Sequence, residues 1–268
     1  MAATIPLPES EIHIWMVAQD AIADAAVLER YDFLMTLDER EIQRRFLRAR
    51  DRHEYLVTRA LVRTVLSRYV DVPPETWRFY RNEFGRPYVD WKTMGVTPSL
   101  PGLLFNLSNT AGLVVCGVSS RHELGVDVEP LARHDQILGI ANTVFAGPEL
   151  EILPRLPTAE RRRAAVDFWT LKEAYIKARG MGLSIPLEQF WYTLGDPIRI
   201  AFDVRLGDDP ANWQFGQVEP NGEHLISWAV CRGRAPNVTV LAKAFAPLMT
   251  ESDWLCLYVQ PHHLIRDN

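Results

Sequence analysis

The stretch Leu124-Gly125-Val126-Asp127-Val128-Glu129 alternates apolar and acidic residues with a period of two. Side chains along a β-strand point to opposite faces in turn. Val126 and Val128 therefore face one way, toward a core, while Asp127 and Glu129 face the other way together. Two like charges held so close repel unless a cation lies between them. Magnesium favours carboxylate and phosphate oxygens, usually one or two protein carboxylates completed by water and substrate. Taken alone, the acidic pair fits a solvated strand face as well.

Upstream of this stretch, Leu103 to Ser108 and Leu113 to Ser119 also read as strands, with turn residues at 109–112 and 120–123. Earlier still, Ile12 to Val17 reads as a strand and Asp38 to about Tyr69 as one or two helices stopped by Pro73-Pro74. Trp77 to Tyr80 precedes a turn at Glu83-Phe84-Gly85-Arg86-Pro87, and 92–102 is loop-like. Downstream, a helical pattern covers about Asp135 to Phe145, and a long helix runs from Thr158 to Arg179 with Gly180 as its left-handed terminator. Strands follow at 190–194, 198–204, 224–231 and 238–244, and the last 20 residues show no clear pattern. Each part of the chain thus offers a helix followed by several strands, which predicts an α+β fold in two units of similar design.

On the long helix, residues four apart share a face. Trp169, Glu173 and Lys177 form one stripe, and Phe168, Leu171 and Tyr175 form a separate, core-like one. Glu173 can complete an oxygen-rich metal site while Lys177 meets a phosphate, with Lys172 assisting. A surface Glu–Lys pair is the alternative on spacing alone. Arg86 in its turn can present a planar fork to phosphate or simply face water. The polar run Asn106-Leu-Ser-Asn-Thr-Ala-Gly112 suits either phosphate binding or a hairpin connection. Nine arginines between 40 and 68, Arg63 among them, form a local positive field able to hold a nucleotide phosphate.

The order of these pieces closely resembles the Sfp-type 4′-phosphopantetheinyl transferases. Gly85-Arg86-Pro87, Asn106-x-Ser108, Gly-Val-Asp-Val-Glu129, Trp169-x-x-Lys-Glu-Ala-x-x-Lys177 and Gly180-x-Gly-Leu183 follow one another across about residues 40 to 190. The resemblance implies a pseudo-dimer of two α+β halves, 1–120 and 121–268, with the active site in the cleft between them. It also implies transfer of the 4′-phosphopantetheine arm of coenzyme A to a serine of an apo acyl or peptidyl carrier protein, releasing 3′,5′-ADP. By the same resemblance Asp127, Glu129 and Glu173 bind Mg2+, Glu173 and Lys177 are catalytic, and Arg63, Arg86, Ser108, Asn109, Lys172 and Lys177 contact coenzyme A. The segment near Thr143 to Glu149 becomes a carrier contact, with Phe145 either its apolar anchor or plain core. The chain departs from the family at Asn109, where the pattern has histidine. That replaces a charge-assisted contact with a neutral one and leaves room for a coenzyme A- or carrier-binding protein without turnover.

Composition narrows the field further. Hydrophobic residues make up 47% and charged residues 24%, the normal globular mix, and the formal charge of −5 argues against nucleic acid as a partner. Three widely spaced cysteines suggest neither a disulfide framework nor a zinc site. No signal peptide or 18-residue apolar run is visible, so a cytoplasmic, membrane-free monomer is expected. Fatty-acid, polyketide and peptide-synthetase carriers all remain open as substrates.

Overall fold

Strand β1 (Glu11–Val17) shows how the layers are built. Ile12, Ile14 and Met16 enter one buried cluster, while Trp15 and Val17 enter another on the opposite face. The computed structural model describes residues 4–97, 100 and 102–248. After β1 come helices α1 (Ala25–Leu34), α2 (Leu37–Arg45) and α3 (Ala49–Leu66), a hairpin of β2 (Phe79–Arg81) and β3 (Pro87–Val89), and the one-turn α4 (Trp91–Met94). Strands β4 (Leu104–Thr110), β5 (Leu113–Ser119) and β6 (Glu123–Pro130) lead to α5 (His134–Gly139), α6 (Ala141–Val144), α7 (Gly147–Ile152) and α8 (Thr158–Arg179). The chain then forms β7 (Phe190–Thr193), β8 (Arg199–Phe202), β9 (Trp213–Val218), β10 (His224–Cys231) and β11 (Thr239–Ala244).

Two sheets stack face to face. One has the order β11-β1-β5-β4 and the other β6-β10-β9. Between them Ile12, Ile14, Leu113 and Val115 meet Leu124, Val126, Val128 and Ile226 in one buried cluster. On the outer face of the first sheet, Val57, Leu61 and Val65 of α3 pack with Val114, Cys116 and Val118. Outside the second sheet, Leu171, Tyr175 and Ala178 of α8 pack with Leu225 and Ala229. The α+β expectation therefore holds, in four layers: helix, sheet, sheet, helix. Burial of these apolar faces is the main force holding the layers together.

Two expectations need correction. The boundary at 120/121 separates β5 from β6, yet β11 returns to pair in parallel with β1, so the second half donates a strand to the first half's sheet. The predicted helix at 135–145 divides into α5 and α6, and the Gly147-Pro148 break is the start of α7, with its proline in the first turn. The final 20 residues lie outside the described part. No helix among the described residues is long and apolar enough to cross a membrane.

Candidate active site

Gly125 explains how α8 comes to lie on β6. A Cβ placed there would sit 2.0 Å from the Ala174 carbonyl oxygen and 2.4 Å from the Ala178 nitrogen. Only glycine lets the helix backbone approach the strand this closely. With α8 seated at Gly125, the next residues on that strand face, Asp127 and Glu129, lie under the Trp169–Glu173–Lys177 stripe. That stripe is the half-buried one, whereas Phe168, Leu171 and Tyr175 are buried, as the helical spacing predicts. Lys177 Nζ donates to Asp127 Oδ1 at 2.6 Å, and Trp169 Nε1 donates to Glu129 Oε1 at 2.9 Å. Arg133 Nη1 also reaches Glu129 Oε1.

The Asn-x-Ser run of β4 closes the third side. Strand β6 is an edge of its sheet, so its outer N–H groups need partners from elsewhere. Asn106 Oδ1 accepts from Val126 N at 2.9 Å and Ser108 Oγ accepts from Val128 N at 3.2 Å. Ser108 Oγ also donates to Asp127 Oδ1 at 3.0 Å and accepts from Lys177 Nζ at 2.9 Å. A hydroxyl has one proton and two lone pairs, so all of its capacity is used here. Asn106 was quoted in the motif without a role, and its signal was the two-residue spacing that puts it on the same face as Ser108.

Burial first, and then the neighbouring Asp127 and Glu129 charges, push the Glu173 carboxyl up to about 7 against the pull of Lys177 and Arg133. Such a carboxyl can hold or release a proton near neutrality, as a general base requires. Asp127 Oδ2 and Glu129 Oε2 are both buried and without a hydrogen-bond partner. Two idle carboxylate oxygens on one strand face suit a hard divalent cation whose sphere is completed by water or phosphate. The expected set of three is not gathered as one, however. Among the described residues no group of three or more His, Cys, Asp or Glu side chains is assembled to hold a metal ion. Lys177 and Ser108 draw Asp127 to one side, and Arg133 and Trp169 draw Glu129 to the other.

Three residues expected at coenzyme A are placed differently. Lys172 is wholly buried and lies off the stripe. Its Nζ meets Glu149 Oε2 at 2.9 Å, Leu187 O at 2.7 Å and Phe190 O at 2.5 Å. Glu149 in turn accepts from Ala146 N and Tyr192 N. Burial lowers the lysine and raises the glutamate, each partly offset by the other. Three acceptors around Nζ and three donors around the carboxylate match the ionised forms of both. Arg86 is buried and donates Nη1 to Lys177 O and Ala178 O, both at 2.6 Å, and Nη2 to Leu124 O at 3.1 Å, so both terminal nitrogens are held by backbone while Nε has no partner among the described residues. Asn109 Nδ2 donates to Glu54 Oε1 at 2.5 Å, which commits the amide to a carboxylate that repels phosphate. Arg63 is only 1% exposed and donates Nη2 to Glu39 Oε2 at 2.6 Å. Phe145 is also buried, edge-on to Phe168 at 5.9 Å, so it belongs to the core.

Known proteins match this chain along most of its length. A 4′-phosphopantetheinyl transferase N-terminal family model matches residues 26–121, and the 4′-phosphopantetheinyl transferase superfamily model matches 123–229. The 4′-phosphopantetheinyl transferase HetI of Nostoc sp. is 30% identical, over 67% of this chain and 73% of that protein. A second relative, the 4′-phosphopantetheinyl transferase ffp of Bacillus subtilis, is 30% identical over 77% of this chain and 87% of its own. Sfp of Bacillus subtilis is 29% identical over 76% and 84% respectively. This chain belongs to the 4′-phosphopantetheinyl transferase superfamily.

In this superfamily member, a cavity of about 300 Å³ opens beside α3. Arg59, Arg63, Arg78 and Arg81 line it together with Tyr55 and Phe79, and the carboxylate residues Asp38 and Glu39 line it too. Arg63 Nε and Nη1 and Arg59 Nε are buried there without hydrogen-bond partners. Desolvation lowers the Arg63 guanidinium from its ordinary value, and Glu39 offsets part of that. Arg78 and Arg81 escaped the sequence reading because they come from the β2 segment, outside the arginine-rich helices.

Proposed function

We propose that this chain moves the 4′-phosphopantetheine group of coenzyme A to a serine of an apo acyl or peptidyl carrier protein and releases 3′,5′-ADP, acting as a Mg2+-dependent holo-[acyl-carrier-protein] synthase. One observation carries the reading: Lys177 is bonded to Asp127 and Ser108 where β4, β6 and α8 meet, with Glu173 in the field of Asp127, Lys177 and Glu129. Glu173 in its ionised form accepts the proton of the carrier serine as the serine oxygen bonds to phosphorus. The bond that breaks joins that phosphorus to the oxygen of 3′,5′-ADP. Lys177, held between Asp127 and Ser108, offers its ammonium to the 5′-phosphate oxygens of the leaving 3′,5′-ADP. Asp127 and Glu129 would hold Mg2+ through their unpartnered oxygens, with Glu173 beside them, and the ion supplies charge neutralisation at the phosphates. The arginine cavity is the seat assigned to the 3′-phosphate, since idle guanidinium donors match phosphate oxygens in geometry and charge.

The rival reading, binding without turnover, rested on Asn109. Asn109 is turned to Glu54, away from the Asp127–Lys177–Glu173 group, so the change there leaves the reacting groups intact. The deciding experiment incubates the chain with coenzyme A, Mg2+ and an apo carrier and weighs the carrier by mass spectrometry. A gain of one phosphopantetheine arm is expected, lost by a factor of about 10²–10⁴ in Glu173→Gln. An unmodified carrier with coenzyme A bound would remove the reading.

A further inference from the structure

Arg86 was expected at a phosphate and is found inside the protein, bonded to three backbone carbonyls. The carbonyls are a particular set. Lys177 O and Ala178 O belong to the last turn of α8, and Leu124 O belongs to the start of β6. Glu123 Oε2 lies 2.7 Å from Nη2, off the line of its N–H bonds, and so adds charge attraction without a hydrogen bond. The guanidinium also lies over the Tyr88 ring, 5.3 Å from its centre.

The turn that carries Arg86 is rigid by its own bonding. Asn82 N donates to Arg86 O, and Asn82 Oδ1 accepts from Phe84 N and Arg86 N. Gly85 supplies the left-handed residue, φ +87°. From this turn Asn82 Nδ2 donates to Gly180 O at 2.8 Å. Gly180 is itself left-handed, φ +65°, and a Cβ there would come within 3.0 Å of Arg86 Cδ. The final carbonyls of a helix have no partner within it, and cations near that end are favoured by the helix dipole. Here those carbonyls are capped from the other half of the molecule, 91 residues away in sequence for Lys177.

We propose that Arg86, supported by Asn82, is a positioning residue that pins the end of α8 to the start of β6. The pin joins the two elements that bring the reacting groups: Asp127 and Glu129 stand three and five residues after Leu124, and Lys177 is itself one of the residues held. It thereby sets the register in which Lys177 meets Asp127 and Glu173 faces them both. Lysine cannot replace it, because a single ammonium lacks the planar fork that reaches two helix carbonyls and a strand carbonyl at once.

The inference rests on the transfer reaction proposed above, and its test has one arm that does not. Arg86→Met, Arg86→Lys and Asn82→Ala are compared with the parent in kcat for carrier modification, in coenzyme A affinity by calorimetry, and in amide hydrogen exchange. Arg86→Met should lower kcat about tenfold or more, since small misplacement of reacting groups is costly. Its dissociation constant for coenzyme A should stay within about twofold of the parent, because removal of an interaction made only during reaction leaves ground-state binding alone. Exchange should quicken at residues 178–184 and 124–127 and nowhere else in α8. Arg86→Lys should fall between Met and the parent, and Asn82→Ala should show the smallest loss of the same kind. A rise in the dissociation constant as large as the fall in kcat would assign Arg86 to the phosphate and overturn the proposal. Unchanged kcat with unchanged exchange would overturn it too. If Arg86→Met does not fold, Arg86→Lys and Asn82→Ala decide by the same criteria. If the parent itself transfers nothing, the reaction reading fails, while the exchange pattern still decides whether the pin exists.

Discussion

Helices α3 and α8 cover the outer faces of the two stacked sheets, and each buries one long cation. Their cations are not alike. Lys172 of α8 spends all three protons on Glu149 and two carbonyls and is sealed off from solvent. Arg63 of α3, just as buried, bonds Glu39 with one nitrogen and leaves Nε and Nη1 idle beside a cavity lined by three more arginines. A buried charge is costly unless its donors are met. A fully met cation is scaffold, and one with idle donors at a cavity wall is suited to an anion. Burial alone does not separate the two, and the count of unused protons does.

The largest break in this comparison should come from Lys172→Met. Leaving Glu149 charged and buried without its cation should cost about 3–5 kcal/mol in urea unfolding. Adding Glu149→Leu should recover part of that loss, and a single variant as stable as the parent would show that Lys172 is not scaffold. Arg63→Met should act on the ligand instead. Coenzyme A binding should weaken by about 1.5–3 kcal/mol in calorimetry, the worth of hydrogen bonds to a charged group. The analogue lacking the 3′-phosphate should bind both proteins nearly equally; equal losses for the two ligands would move the phosphate elsewhere.

A smaller effect concerns Glu173, a carboxyl whose burial is not balanced by a dedicated cation. Its folded pKa, about 7, lies above the unfolded value of 4.5, so the folded state holds the proton more tightly. Stability linked to this group is complete below pH 4.5 and declines as pH rises through 7. In the presence of a chelator, Glu173→Gln should therefore be more stable to urea than the parent at pH 8, by about 1–2 kcal/mol after allowance for partial exposure, and equally stable at pH 4.5. A constant difference across that range would contradict the shift. The smallest effect should follow Glu54→Gln, which keeps one acceptor for Asn109 or Gln19 and removes one negative charge near the proposed phosphate path. Coenzyme A should bind about twofold tighter at low salt, and the gain should fade as salt rises.

The parts of this molecule that could be read from sequence are those governed by neighbours within a few residues. The alternation at 124–129, the 169/173/177 stripe and the Gly180 terminator all appear where expected. Strand β9 and helix α1 were not anticipated. The parallel pairing of β11 with β1 joins segments more than 220 residues apart, and no local pattern encodes it. The same holds for the site. Asp127, Ser108 and Lys177 come together as expected, while Arg86, Lys172 and Asn109 are taken up by backbone carbonyls and carboxylates that no local pattern marks.

The sequence by itself determined which residues face together: acids on one side of a strand and a Trp–Glu–Lys row on one side of a helix. Those follow from the fixed periods of strand and helix. Tertiary structure alone decided which charges are idle and which are spent. A lysine or arginine looks the same in any sequence, and its role depends on whether carbonyls and carboxylates from remote segments have already taken its protons.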